Sequence, residues 1–446
     1  MESLKKSGIL KVCLVLCSYV LAYLYVDKLN LSFYGDSIGE IFTTLIITFG
    51  FVVWLELVML YQRVTGIYKP SRSVLKETRF WEVILMLLAG ITHFGTQSGL
   101  EVFAMHLVVI YMVLCGTGHL LKEESSCLLP FDLVNGALRL PFGNFVMRIP
   151  FLADGVGEIR NSGNKDGKKM GLSLGKIIGS IIFIVVAFVV FFQVFGLLSE
   201  LDSTFNIAFT AFADFIRRCL RSIFRFDIFI LGEKLGLFIL SIPVGAYLSG
   251  LFNGSARHDN DFEKNIKCQI ENACPRLRII PEVLFCVVCS IFIVMYLLFF
   301  ISQSRLLFSG FLGILPEEFT ASAYARDGFS QLANVLMINF AGLGAMRIFA
   351  TKSVVESKYI KLGSTVLMAT SMIFSVISAS KIILYISRFG YTALRTESLW
   401  FTVVAFVGSM LAIVNIVTSK KTFKFWLWFS AASFIIMNIV AGFCQL

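Results

Sequence analysis

Charge is scarce in this chain. Asp, Glu, Lys and Arg make up 15% of its 446 residues, against about 25% in soluble domains, so most of the molecule has no ordinary water-facing surface. Proline is scarce as well, at 8 residues, and no low-complexity tract occurs, which argues against disordered tails and long linkers. The 4 histidines form no HExxH or comparable spacing. No nucleophile elbow, P-loop, kinase set, Rossmann glycine pattern or phosphatase-like aspartate motif is present, which argues against soluble-style catalysis. No small-residue cleavage site follows the first apolar run, which therefore reads as a retained helix.

What is there is apolar mass. Hydrophobic residues make up 57% of the chain, 45 of them Phe, and the mean hydropathy is +0.81. The net charge of +10 would suggest nucleic acid in a soluble protein, but in a multi-span protein it reports cytoplasmic loops. No basic stretch interleaved with stacking aromatics lies outside a span, so nucleic acid is not an expected partner. Most of the 10 cysteines scatter through apolar segments as small core residues. Cys286 and Cys289 form a CxxC without the further ligands or hydrated flanks of a zinc site. Cys268 and Cys274 lie in a loop that the topology below makes cytoplasmic, where disulfides rarely persist. His93, Glu101 and His106 lack metal-ligand spacing. No metal and no cofactor is expected.

Runs long enough to span number about eleven: 8–26, 38–60, 80–95, 99–117, 174–197, 227–252, 279–302, 328–350, 362–386, 397–418 and 425–443. The third is short and, with the fourth, forms either two crossings or a re-entrant hairpin. The fold expected is all-α, a polytopic transmembrane helical bundle. Three regions follow: an N-terminal four-span region (1–117), a cytoplasmic basic and interfacial loop (118–173) broken at Pro141 and Pro150, and a seven-span region (174–446). With the N-terminus cytoplasmic and the C-terminus extracytoplasmic, most of the 39 Lys and Arg fall in inner loops, as the positive-inside rule asks. The exception is the arginine-rich stretch 203–226, which reads as an outer interfacial helix or as a lid over the bundle. Gly171, Gly175 and Gly179 share a helical face that allows close helix approach.

Two charged segments fall on the outer side of this topology. In ILPEEFTASAYARDGF (314–329), Pro316 sets a turn and Thr320 or Ser322 caps a helix. Tyr324, Gly328 and Gln331 then share one face, which Asn334 continues. In SASKIILYISRFGYTALR (378–395), Lys381, Tyr385 and Arg388 are spaced i, i+4, i+7, followed by Tyr391 and Arg395. Two cations and a tyrosine on one face should point into the bundle or a wet cavity. The segments then either pair, Glu317 or Glu318 with Arg388 and Arg326 with Asp327, or line a pocket for an anionic ligand through Glu317, Glu318, Tyr324, Arg326, Lys381, Tyr385, Arg388 and Arg395. Glu233, Lys234, Gln331 and Asn334 would lend intramembrane polar support, Lys234 answering the outer carboxylates and Glu233 answering Lys381 or Arg388.

GILPEEFTASAYARDGFSQLANVLMINFAGL resembles the E-G-F-T-Y-A-E-Y-A-R-x-G-F-x-E-L signature of a bacterial family of polytopic membrane proteins, domain of unknown function 4173, related to domain of unknown function 4153. SASKIILYISRFGYTALRTESLW is similar to its second signature, and LLSELDSTFNIAF to its Ser-Ala-Asp-Pro-x-Phe stretch. The likeness covers about residues 172–443 and reaches Tyr324, Ala325, Arg326, Gly328, Phe329, Leu332, Lys381, Tyr385, Gly390, Thr392 and Arg395. Ser322 and Gln331 replace glutamates, and Tyr391 replaces a leucine. The resemblance implies a shared outer-face feature and no reaction. The reading is thus a multi-pass plasma-membrane protein, non-enzymatic, binding or translocating an anionic small molecule or lipid at an extracytoplasmic-facing pocket. One alternative is a sensor or scaffold subunit docking a membrane partner protein. A second is a membrane enzyme acting on a lipid-linked substrate.

Overall fold

A computed structural model of the chain describes residues 2–31, 38–92, 100–163, 228–257, 261–313, 320–354 and 356–445. Every regular element among them is helical. In chain order these are α1 (Glu2–Leu31), α2 (Ile38–Thr65), α3 (Arg72–Ile91), α4 (Leu100–Thr117), α5 (Leu129–Val134), a π-helical turn (Asn135–Arg139), α6 (Leu140–Gly143) and α7 (Arg148–Gly163). After these come α8 (Ile228–Ser255), α9 (Asp261–Leu277), α10 (Glu282–Ser302), α11 (Ser304–Phe308) and a 3-10 turn (Ser309–Leu312). The last four are α12 (Ala321–Phe349), α13 (Lys358–Phe389), α14 (Ala393–Thr418) and α15 (Phe423–Gln445).

Nine of these helices are long and apolar enough to cross a membrane, which marks a membrane-embedded, multi-pass protein. They coincide with nine of the runs expected from sequence. The part of the run 80–95 up to Ile91 belongs to a helix that begins at Arg72 and takes in Lys76, Glu77, Arg79 and Glu82, which is not among the nine. The run 174–197, the glycine face at 171–179 and the stretch 203–226 lie outside the described residues. The expected interfacial breaks at Pro141 and Pro150 appear as helix starts: Pro141 opens α6 and Pro150 stands in the first turn of α7, where a missing N–H costs no ladder bond.

The chain packs as two units, residues 1–69 with 135–258, and 70–134 with 259–446. In the first, α1 packs against α2, α7 and α8. Where α1 crosses α7, a Cβ on Gly155 would stand 2.8 Å from Lys11 Cβ and 3.0 Å from the Gly8 carbonyl, so the approach needs glycine. One turn further on, Lys11 and Glu158 pair at 2.6 Å. Trp54 lies flat on Phe252 at 4.3 Å and donates to Asn253 Oδ1 at 3.0 Å. Arg148 donates to the Ile242 carbonyl at 2.6 Å, beside Pro243, which interrupts the ladder of α8. Burial there holds the guanidinium below its usual range.

In the second unit α3 and α4 pair, α15 packs on α3 and α14, and α12, α13 and α14 pack in succession with α10 against α13. The core between them includes Leu336, Leu343, Met346, Leu367, Phe374 and Ile416. It holds one buried polar chain: Tyr296 donates to Asn339 Oδ1 at 2.7 Å and Asn339 donates to Ser371 at 2.8 Å. Polar bonds of this kind join transmembrane helices. Ahead of α10, Ile280 makes an isolated parallel bridge with Ala350: the Ile280 N–H donates to the Phe349 carbonyl and the Thr351 N–H to the Ile280 carbonyl, each at 3.0 Å.

Candidate functional site

At the start of α12, Thr320 accepts the Ala323 N–H at 3.2 Å and caps the helix. Tyr324 is buried, and its hydroxyl meets that of Ser309 at 2.7 Å. Lys381 comes in from α13, 4% exposed, with Nζ 4.4 Å from the centre of the Tyr324 ring. Gly328 makes room for it, since a Cβ there would lie 2.8 Å from Lys381 Cδ. Arg395 stacks on Tyr385 at 4.0 Å and donates to the Phe389 and Gly390 carbonyls at 2.8 and 2.6 Å. Arg388, exposed, donates to the Gly313 carbonyl at 3.2 Å. Among the described residues these cations are therefore met by aromatic faces and backbone carbonyls.

The shared face of Lys381, Tyr385 and Arg388 runs from buried to half-buried to exposed. Arg326 is exposed. Glu317, Glu318 and the side chains of Asp327 and Glu233 lie outside the described residues. Lys234 pairs with Asp27 at 2.8 Å. Gln331 and Asn334, expected to carry a polar stripe inward, are exposed. The amide that enters the bundle is Asn339, a turn and a half beyond Asn334 on a different face of the helix.

Of the histidine candidates, His106 is exposed with Nδ1 2.6 Å from the Val102 carbonyl, Glu101 is buried, and His93 lies outside the described residues. No group of three or more metal-ligating side chains occurs among the described residues.

A cavity of about 1130 Å³ opens at the other end of α12. Its walls are apolar: Leu336, Phe340 and Leu343 from α12, and Phe401, Ala405 and Leu411 from α14. Its mouth is polar and mainly basic, with Lys122, Glu123, Glu124 and Ser125 from the loop after α4, Arg347 and Asn415 at the helix ends, Lys421 just ahead of α15 and Lys424 in its first turn. Arg347 donates to Asn415 Oδ1.

Behind the mouth lies a buried charge network that the sequence reading missed. Glu77, fully buried on α3, pairs with Lys424 at 3.0 Å. It also accepts the Ser125 N–H at 3.2 Å and the Ser125 hydroxyl, to which Tyr111 donates at 2.7 Å. Glu124, on the rim, takes Lys424 at 3.2 Å and a hydrogen bond from the Ser73 hydroxyl. The bond from Ser73, with Lys424 and Lys421 nearby, holds the Glu124 carboxyl below its usual range. Trp428 stacks on Phe80 at 4.3 Å and lies 5.3 Å under Lys424. In sequence, the only sign of this was acidic Glu77 and Glu82 sharing the apolar face of Trp81.

The same loop carries a second buried group of ionisable residues. His119 Nδ1 lies 3.1 Å from Glu263 of α9, both almost fully buried. Asp132 accepts the Leu121 N–H at 2.8 Å. Burial pushes the Asp132 carboxyl up to about 6; the Leu121 N–H opposes this and the charge of Glu263 adds to it.

The family model described as domain of unknown function (DUF4153) matches residues 83–441, well upstream of the motif likeness read from sequence. No curated protein matches the chain, and no solved structure does.

Proposed function

The chain belongs to the DUF4153 family, and from that premise we propose that it is a non-enzymatic membrane protein binding an anionic amphiphile in the cavity of its second unit. The observation that carries this reading is the cavity itself. An apolar sleeve along α12 and α14 ends in a mouth where Lys122, Arg347, Lys421 and Lys424 outnumber Glu123 and Glu124. Ligand pockets run to about 300–1,000 Å³ with mostly apolar walls and a few placed polar groups, and one of about 1130 Å³ takes an acyl chain as well as a head. The pocket is thereby moved from the expected extracytoplasmic cluster, where described cations are already engaged, to the opposite end of α12.

The topology belongs to the same reading: about eleven spans, N-terminus inside, in a bacterial plasma membrane. One pattern supports the placing of these loops on a common side of the membrane. Loops that alternation assigns to the inner side meet one another within the second unit: Ser73 and Lys424 at Glu124, His119 at Glu263, and Lys361 at the Val417 carbonyl, 3.2 Å away. The finer kinship with domain of unknown function 4173 rests on the motif likeness read from sequence alone.

The test is lipid retention. Protein purified in neutral detergent should carry an anionic lipid detectable by mass spectrometry, and Ala412→Trp, which fills the sleeve from the α14 wall that Ala412 helps to line, should lose it while still melting cooperatively. An Ala412→Trp protein that retains the same lipid, or wild type that retains none after exchange into anionic lipid, overturns the reading.

A further inference from the structure

Glu124 is an acid on a basic rim. Lys424 does not need it for neutrality, because Glu77 already pairs with that ammonium from the buried side at 3.0 Å. The two carboxylates differ in kind. Glu77 is fully buried and held by Ser125 as well. The Glu124 side chain is 46% exposed, on a loop whose neighbours Lys122, Glu123 and Cys127 are exposed too. An ion pair at the surface contributes little, so the outer carboxylate, held by one such pair and one hydroxyl, leaves more readily than the inner one. What it would vacate is a hydroxyl donor, Ser73, beside an ammonium, Lys424, with Lys421 and Lys122 on the same rim. A hydroxyl and an ammonium in contact with one vacated anion position, with the Lys421 ammonium near it, form a phosphate site. That position lies at the open end of an apolar sleeve.

Building on the amphiphile reading above, we infer that Glu124 is a tethered stand-in for the phosphate of a phospholipid, which displaces it from Ser73 and Lys424 while an acyl chain enters along Leu336, Phe340 and Phe401. Glu77 keeps Lys424 oriented throughout. Glu124 thus sets a threshold: a head with one or two negative charges on clustered oxygens outcompetes a single carboxylate, and a neutral or zwitterionic head does not.

The experiment uses the full chain in neutral detergent and phosphatidic acid with brominated chains, read by quenching of tryptophan fluorescence, since Trp426 lines the cavity. Phosphatidylcholine and diacylglycerol with the same chains, and inorganic phosphate, serve as separate arms. Phosphatidic acid should quench wild type saturably. Glu124→Gln should tighten it about fivefold, the equivalent of one exposed ion pair, and Glu124→Ala should do the same, so a folding defect in one variant leaves the other to decide. If phosphatidic acid binds wild type but neither variant tightens it, the stand-in is wrong and the amphiphile reading survives. Equal binding of diacylglycerol, or competition by inorganic phosphate at the lipid's own concentration, also overturns the phospholipid assignment. Binding of no lipid to wild type or variants removes both.

Discussion

The two ends of α12 handle their cations in opposite ways. At its start, Lys381 is sunk beneath Tyr324 against Gly328, and Arg388 and Arg395 are spent on backbone carbonyls. At its far end, Lys424 sits between two carboxylates beside an open cavity. A cation satisfied by a ring face and carbonyls is packed, with little freedom to take another partner. A cation satisfied by one fixed and one exposed carboxylate can exchange the second. Charge count alone would have ranked the two clusters the other way round.

Removing the fixed carboxylate should break the comparison most. Glu77→Ala strips Lys424, the Ser125 N–H and the Ser125 hydroxyl of their buried acceptor, and the loss of such a partner costs about 3 kcal/mol. A melting midpoint within a degree or two of wild type would show that the network is not a structural base for the cavity. At the packed end, Gly328→Val should cost about 2 kcal/mol, because a Cβ there lies 2.8 and 2.9 Å from Lys381 Cδ and Nζ and overpacking carries a penalty of that order. A neutral result would mean that Lys381 swings out freely, so that the packed end is no more fixed than the rim.

The smallest effect sharpens the contrast through pH. Asp132 titrates at about 6 in the fold, raised from 3.8, so the native state holds the proton more tightly than the unfolded one. Its stabilising contribution is complete below about pH 4 and is lost as pH rises through 6. Asp132→Asn, which can still accept the Leu121 N–H, should therefore add about 1 kcal/mol at pH 7.5 and nothing at pH 4. Equal gains at both pH values, read from chemical unfolding, would show that ionisation of Asp132 is not what costs stability.

How much of this could be read in advance follows from sequence distance. Span positions depend on local hydropathy, and nine of the expected runs recur as apolar helices. Thr320 as a cap and the common face of Lys381 and Tyr385 are likewise local. The Glu77, Glu124 and Lys424 network joins residues about three hundred positions apart, and Lys424 on its own reads as one more positive loop charge. Asn339 was passed over for the same reason that Asn334 was favoured: both fit a polar residue on an apolar helix, and only packing tells which side faces Tyr296. The short run at 80–95 was read without its charged first turns, which belong to the same helix.

The bridge between Ile280 and Ala350 is made entirely by amides. Ile280 is only partly buried and Thr351 is exposed, so related chains can change both side chains and keep the join, while proline at either position would remove one of its two hydrogen bonds. This joint between α10 and α12 can therefore be inherited unchanged through sequences that have drifted apart at those two positions, and only the exclusion of one residue type would record that it is there.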